Sequence, residues 1–356
     1  MPDGNSAWTR MAQDNAVIRF IDINLRGAGQ VIFQDNPLTG FFFLAAIVWG
    51  AYVAGQPAIA IGAIVALVVA TVTAMLLDVD EPSLRQGLFG FNGVLVGAAV
   101  PTFLAVNGWM WFLLIVGAAV STVVMLAVSN VMKTWGAPAL TFPFVLTTWF
   151  LVLAAYSFGH LPIASMGPPA LPHQAAAVAP ELSGANWQLI EAWLKGPAQV
   201  FLINNAVSGV LVVIGLLVSS AWAALFALIG SAVAIGLSLG LGASLASVEG
   251  GLYGFSPVLT AVGLGCVFYK PSWRVALFAL LGTVFTVIVQ GALDATVAPL
   301  GIPTFTAPFV FVTWLFLLPK AKLQPHPHAP IANGVVSGDT PPASAAGAHP
   351  TSEGRP

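Results

Sequence analysis

Side chains that could line a path for a small solute occur in pairs, one in each half of the chain. Each half contributes a glutamine, Gln30 or Gln199, and a threonine two residues before a proline, Thr141 or Thr306. Gln and Thr oxygens accept hydrogen bonds, and helices broken at Gly or Pro leave backbone carbonyls without helical donors. Together these groups predict a row of acceptors suited to a solute rich in N–H groups.

A pair of apolar side chains accompanies the acceptors in each half. Phe91 stands four residues before Leu95, and Phe255 stands four residues before Leu259. Residues at this spacing share one face of a helix, so two facing pairs predict a narrow slot with flat walls. An amide that leaves water needs new hydrogen bonds to offset the loss, and acceptors along the slot would provide them. The pattern predicts a path for a planar, neutral solute.

The composition indicates that these residues belong to a membrane protein. Charged residues make up 7 % of the 356 residues, hydrophobic residues make up 58 %, and the mean hydropathy is +0.91. Ordinary soluble domains carry about 25 % charged residues, so lipid must solvate much of this chain. A net charge of −2 excludes the basic footprint of a nucleic-acid binder. The lone Cys266 excludes an internal disulfide and a cysteine cluster, and we expect no metal or other cofactor.

Ten apolar runs predict an all-α membrane protein with about ten transmembrane helices. A helix needs about 20 apolar residues to cross a bilayer. Two of the runs are short, and each follows a Gly-rich apolar stretch, which predicts a re-entrant or tilted half-helix in each half. The runs cover 33–55, 57–77, 94–106, 109–132, 141–159, 202–219, 222–245, 257–268, 273–298 and 304–319.

The two sets of five runs are predicted to be copies of one another. Three matching segments keep their order, with offsets of 164, 169 and 165 residues. Because five spans are an odd number, the copies should lie in opposite orientations as inverted repeats. The matching segments are Gly87–Leu95 with Gly251–Leu259, Leu25–Val31 with Leu194–Val200, and Pro138–Phe144 with Pro303–Phe309.

The distribution of positive charges predicts the topology. With the N-terminus inside, ten of the eleven Lys and Arg residues fall on the inner side and only Lys195 falls outside. An outer loop without glycosylation motifs, and a start without a signal pattern, suit a bacterial inner membrane. The predicted organisation is a polar N-terminal arm at 1–25, a first membrane repeat at 26–160, an extracytoplasmic loop at 161–192, a second membrane repeat at 193–319 and a disordered cytoplasmic tail at 320–356.

The scarcity of charge within the apolar runs favours passive permeation. Asp294 is the main ionisable residue inside a run, so neither a carboxylate proton relay nor a voltage sensor is predicted. A sodium site built from carbonyl oxygens remains an alternative, and so does a cation-coupled secondary transporter. A membrane-embedded enzyme lacks a nucleophile–base pair or a metal cluster to support it.

At the paired glycine-rich segments the sequence resembles the urea transporter family. The resemblance covers roughly residues 20–319, and the Gly-Phe-Asn/Ser segments at 90–92 and 254–256 are its most specific part. It implies a channel-like facilitator for urea, with a pore through each protomer of a homotrimer in lipid. It also implies that glutamines at the mouths, aromatic and leucine slot residues and two central threonines line the path. By motif these are Gln30, Gln199, Phe91, Leu95, Phe255, Leu259, Thr141, Thr306 and Phe33.

The second half departs from the family pattern beside its glutamine. Leu202 stands where an aromatic residue would match Phe33, so Val200 or Phe201 is an alternative wall residue. Phe316, ten residues after Thr306, is a further candidate for the slot.

The predicted function is passive, channel-like transport of urea across a cytoplasmic membrane. A channel of the same fold for water, ammonia or short amides is the first alternative, and the cation-coupled transporter is the second.

Overall fold

The computed structural model describes residues 7–172, 186–319 and 323–326. Within these ranges the chain is helical, and the only extended pairings are isolated bridges between Leu104 and Ile163 and between Tyr269 and Pro325. This agrees with the predicted all-α class. The predicted tail lies outside the described residues except for a short stretch, in which Gln324 accepts a hydrogen bond from the Lys270 amide.

The segment predicted as a polar arm is helical from Ala7 onward. Helix α1 (Ala7–Asp14) packs against α2 (Ala16–Gln30), and the side chain of Asn15 caps α2 by accepting from two backbone amides. The indole of Trp8 donates to Asp22 across 2.6 Å. Residues 1–6 lie outside the described part of the chain.

The remaining helices of the first half follow in a simple order. Asn and Asp side chains cap several of them, and Pro residues occupy first-turn positions, where the missing N–H is not needed. The helices are α3 (Pro37–Val53), α4 (Pro57–Leu76), α5 (Glu81–Arg85), α6 (Phe91–Phe103), α7 (Gly108–Lys133) and α8 (Phe142–Ala154).

The second half contains a matching series of helices. One of them, α13, continues directly into a turn of π-helix, and α14 continues into a 3-10 turn. The helices are α9 (Asn186–Gln199), α10 (Ala206–Ser219), α11 (Ala221–Gly240), α12 (Leu245–Glu249), α13 (Phe255–Val262) with the π-turn Gly263–Val267, α14 (Trp273–Val297) with the 3-10 turn Ala298–Leu300, and α15 (Ala307–Leu317).

Each apolar run predicted from the sequence coincides with one helix. Four helices, α4, α7, α11 and α14, are long and apolar enough to cross a membrane. The other six apolar helices, α3, α6, α8, α10, α13 and α15, are shorter. The protein is therefore a helical, multi-pass membrane protein, whereas the crossing of the bilayer by all ten helices stays a prediction.

The two long helices α7 and α14 bury the same positions. Met110, Leu114 and Gly117 are buried in α7, and the residues 165 positions later, Val275, Ala279 and Gly282, are buried in α14. Neighbours also correspond, because α4 packs on α6 as α11 packs on α13, and α2 packs on α3 as α9 packs on α10. Contacts between α3 and α10 join the two halves.

Candidate functional site

The two predicted central threonines meet at the seam between the halves. Thr141 and Thr306 occupy the N-cap positions of α8 and α15 without a side-chain capping bond, and their Oγ1 atoms lie 2.7 Å apart. Both side chains are buried. The preceding residues, Leu140 and Phe305, adopt φ angles of 55° and 49°, in the left-handed region that residues with a Cβ rarely occupy. These turns start both short helices at the seam and aim their threonines at one another.

Reciprocal hydrogen bonds fix the two short helices against each other. The indole Nε1 of Trp149 on α8 donates to the carbonyl of Pro303 across 2.9 Å. The indole of Trp314 on α15 donates in turn to the carbonyl of Pro138 across 2.8 Å. Each bond satisfies a carbonyl that no helix partner serves, so the bonds stabilise the chain breaks before both threonines.

The two predicted mouth glutamines make equivalent bonds. Gln30 donates from Nε2 to the carbonyl of Gln86 across 2.9 Å, and Gln199 donates to the carbonyl of Gly250 across 2.6 Å. The residue after each of these carbonyls, Gly87 or Gly251, has a φ of 74° and turns the chain toward α6 or α13. Each glutamine thus uses an amide N–H to hold the turn before α6 or α13. Its carboxamide oxygen is left as an acceptor.

Four predicted site residues of the first half line one small cavity. Gln30, Phe33, Phe91 and Thr141 border a space of about 30 Å³, enough for one or two water-sized groups. Phe33 also contacts Phe268 and Phe309 edge-on, with ring centroids 5.6 Å and 5.9 Å away. The other lining residues are Val31, Leu88, Met125, Pro138, Ala139 and Leu140. Leu95 in α6 is fully buried and is not among the residues that line this cavity.

The predicted residues of the second half are also buried or half-buried. Val200 and Leu259 are inaccessible to solvent, and Phe255 and Leu202 are half-buried. Leu202 has a φ of 60°, as does Phe33, so the backbone at the two positions is equivalent although the side chains differ.

Two aromatic candidates of the second half pack against aromatic rings on other helices. The ring of Phe201 lies 5.2 Å from that of Phe43 on α3, tilted by 56°, so it contributes to the contact between the halves. Phe316 lies 4.9 Å from the ring of Phe278 on α14. Which of Val200 and Phe201 forms the wall beside Leu202 stays a prediction.

Sequence reasoning did not single out Asn92 and Met125. Asn92 is completely buried, its Oδ1 accepts from the Phe144 amide across 3.1 Å, and its Nδ2 lies 3.6 Å from the sulfur of Met125. Asn92 thereby caps α8 beside Thr141. The sequence signal was its place in the repeated Gly-Phe-Asn/Ser segment, where a buried amide needs a partner.

Fixed charges flank both glutamines one helical turn away. Arg26 pairs with Asp22 at 2.7 Å and with Asp35 at 2.6 Å, whereas Lys195 lies 3.6 Å from Glu191 and donates to the carbonyl of Glu249. Burial alone would lower the pKa of Arg26, but hydrogen bonds and attraction from the two aspartates leave that pKa above its ordinary value. A basic group therefore lies one turn before each predicted mouth glutamine.

Buried polar groups between two helical halves of a membrane protein are typical of a protein that handles a small solute within the membrane. In the described part of the chain no three His, Cys, Asp or Glu side chains are grouped to hold a metal ion.

Comparison with known proteins gives the family. Residues 21–321 match the family model described as urea transporter, so the chain belongs to the urea transporter family. It is 30 % identical to urea transporter 1 of Ovis aries over 314 residues, which span 86 % of this chain and 78 % of the relative. It is also 30 % identical to urea transporter 1 of Rattus norvegicus over 315 residues, 85 % and 77 % of the two chains. The resemblance found in the sequence is confirmed, and the protein is a transport protein rather than an enzyme.

Proposed function

We propose that this protein is a passive channel for urea, with its path along the seam that joins the two halves. The observation that carries the proposal is the contact of Thr141 with Thr306 next to the cavity that Gln30, Phe33 and Phe91 border. Aromatic walls suit the flat faces of urea, and hydroxyl and carbonyl oxygens suit its N–H edges.

The path follows the order of the groups along the seam. Urea loses water at one glutamine, passes between the Phe and Leu walls, and meets Thr141 and Thr306 at the centre. Because each threonine hydroxyl can donate as well as accept, the pair can release its mutual bond and bond to urea instead. One mutual bond is replaced by a bond from each hydroxyl to urea, so the pair offsets part of the cost of removing urea from water.

Passive transport is supported by the charge content of the spanning helices. Asp294 is the single carboxylate within the ten apolar helices, and Thr304 hydrogen-bonds to it at 3.3 Å. A proton relay needs a series of such groups. A coupled transporter would accumulate urea above equilibrium when a sodium or proton gradient is imposed, which the channel proposal excludes.

The finer features of the proposal come from the sequence and from the family. The two halves form inverted repeats, residues 26–160 and 193–319, in a bacterial cytoplasmic membrane. The chain assembles as a homotrimer with one path in each protomer. Exposed apolar side chains such as Trp49, Phe112 and Leu281 supply faces for lipid and for neighbouring protomers.

Stopped-flow light scattering on reconstituted vesicles tests the proposal. An inward urea gradient without any ion gradient should cause re-swelling well above that of empty vesicles. The double substitution Thr141→Val with Thr306→Val should reduce this flux at least about tenfold, because two hydrogen bonds to urea are lost at the centre. Unchanged flux in a folded double variant contradicts the central role of the pair. Water or formamide flux without urea flux favours another small neutral solute.

A further inference from the structure

The second half carries polar side chains where the cavity of the first half is apolar. Met125 and Ala139 line the first-half cavity. The residues 165 positions later are Gln290 and Thr304. The buried positions of α7 and α14 match at this same spacing, so Gln290 stands on α14 where Met125 stands on α7.

Gln290 is held in one orientation by the chain it faces. Its Nε2 donates to the carbonyl of Leu252 across 2.6 Å, and Leu252 corresponds to Leu88, which also lines the first-half cavity. Flipping the amide would set two acceptor oxygens against each other, so Oε1 must point away from Leu252. That oxygen is buried and accepts no hydrogen bond from any described residue. Gln290 is 3 % exposed.

Thr304 adds a second acceptor of the same kind. Its hydroxyl donates to Oδ1 of Asp294 across 3.3 Å, so its oxygen can only accept from a further group. Asp294 lies one turn after Gln290 on α14 and acts as a positioning residue. The matching position in the first half is Ser129, whose hydroxyl lies 3.8 Å from the Met125 sulfur. The first half therefore lacks both acceptors.

We propose that Gln290 is a specificity-determining residue of the second half of the path, and that its Oε1 accepts an N–H of the permeating urea with help from Thr304. The inference rests on the proposed urea transport and deepens it. The Gln290 Oε1 and the Thr304 hydroxyl oxygen both act as acceptors, so together they favour solutes with N–H donors. Oε1 is shielded from solvent in the structure, so the proposed contact requires a solute to enter beside α14.

The consequence is a directional difference in apparent affinity. With an extra acceptor in one half, the urea flux saturates at a lower urea concentration when urea arrives from that side. Passive transport still requires equal ratios of maximal flux to half-saturating concentration in both directions. The half-saturating concentrations for influx and efflux should therefore differ by about three- to tenfold, the range of one neutral hydrogen bond.

Urea flux from each side of oriented vesicles tests the inference. Orientation is assigned with an impermeant thiol reagent on Ser157→Cys in a Cys266→Ala background, since Ser157 is exposed beyond α8. Gln290→Met, which copies the first half, should bring the ratio of half-saturating concentrations close to one. Adding Met125→Gln to this variant should reverse the ratio. The control Thr296→Val, an exposed position on the same helix, should leave the ratio unchanged.

The outcomes separate the role of Gln290 from its support of the fold. If Gln290→Met lowers flux from both sides and keeps the ratio, the residue only holds the Leu252 turn, and the inference is wrong. An unchanged wild-type ratio in the folded variant also contradicts it while leaving urea transport intact. Absence of urea flux in the wild-type protein overturns the proposed function and this inference together.

Discussion

The two halves of the molecule share their backbone contacts and differ in the side chains beside the seam. Trp149 and Trp314 donate to equivalent carbonyls, and Gln30 and Gln199 hold equivalent turns. In contrast, Met125 corresponds to a glutamine, and Phe33 corresponds to a leucine. The contacts that set the helix positions are therefore common to both halves, whereas the groups that a solute would meet differ.

A second difference between the halves lies in how α6 and α13 end. Pro101 lies within α6, which ends at Phe103. The matching position in the second half is Gly265, where the helix widens into a π-turn and a Cβ would lie 2.6 Å from the ring of Phe226. Proline removes a helical N–H donor, whereas Gly265 keeps its N–H within the π-turn and leaves room for Phe226 to approach closely. The same interruption is thus reached by two different local means.

The largest predicted effect tests the shared backbone. A Cβ at Gly40 would lie 1.7 Å from the carbonyl oxygen of Leu25, and one at Gly209 would lie 1.8 Å from that of Leu194. Gly40→Ala and Gly209→Ala should each cost more than about 3 kcal/mol and prevent recovery of folded protein, because helix backbones must separate. Size-exclusion profiles and thermal unfolding in detergent measure this.

The control for the glycine pair is Gly236→Ala in α11, where nothing lies within 4 Å of an added Cβ. This variant should be recovered as well as the wild type. Tolerance of alanine at either Gly40 or Gly209 would break the equivalence of the two halves.

The next effect concerns the bond that crosses the seam. Thr141→Val or Thr306→Val alone leaves the other buried hydroxyl unpaired and should cost about 1–3 kcal/mol of unfolding free energy. The double variant removes both groups, so its cost should be smaller than the sum of the two single costs. A double-mutant cycle on thermal or denaturant unfolding measures the coupling. Strictly additive costs would contradict the bond between Thr141 and Thr306.

Replacing Phe33, which corresponds to a leucine in the second half, tests what its aromatic ring contributes to stability. Phe33→Leu copies Leu202 and removes two edge-on contacts, with Phe268 and Phe309, worth about 1–2 kcal/mol together. Unfolding in detergent should show this loss, and the control Phe158→Leu, an exposed position, should change stability by less than about 0.5 kcal/mol. Equal stability of both variants would mean that Phe33 does not join the halves.

The smallest effect compares Arg26 and Lys195, the basic residues one turn before the two predicted mouth glutamines. Arg26→Gln breaks two close ion pairs of a mostly buried side chain and should cost about 1 kcal/mol. Lys195→Gln breaks one looser pair with the more exposed Glu191 and should cost about 0.5 kcal/mol or less. Thermal unfolding at low and high salt measures both, and added salt should reduce the Lys195 effect more. A larger loss for Lys195→Gln would reverse the ranking.

The positions of the helices were predictable because they depend on local pattern. Each apolar run coincides with a helix, and the short run at 94–106 belongs to α6, which starts at Phe91 in the repeated segment. The start of α2 was not predicted, because 1–25 was read as a polar arm on account of its charged and amide residues. The segment does carry a helix signal, since Asn15 caps α2 and apolar residues alternate with polar ones from Ala16 onward.

The candidate site was predictable only in part. Duplication and family resemblance marked the Gln, Phe and Thr positions, and the structure brings Gln30, Phe33, Phe91 and Thr141 to one cavity. Met125 was missed, because a methionine in an apolar helix is far more often packing than lining. Gln290 was missed for a different reason: nothing in its own segment shows which carbonyl its amide would bind.

The sequence by itself determined the class of protein, the helices and the family, because composition, apolar runs and repeated motifs are properties of the chain read in order. The tertiary structure alone decided that Thr141 meets Thr306, that each indole donates to a carbonyl of the opposite half, and that Gln290 keeps a buried oxygen without a donor among the described residues. These contacts join residues far apart along the chain. Their geometry depends on how whole helices pack, which no local pattern encodes.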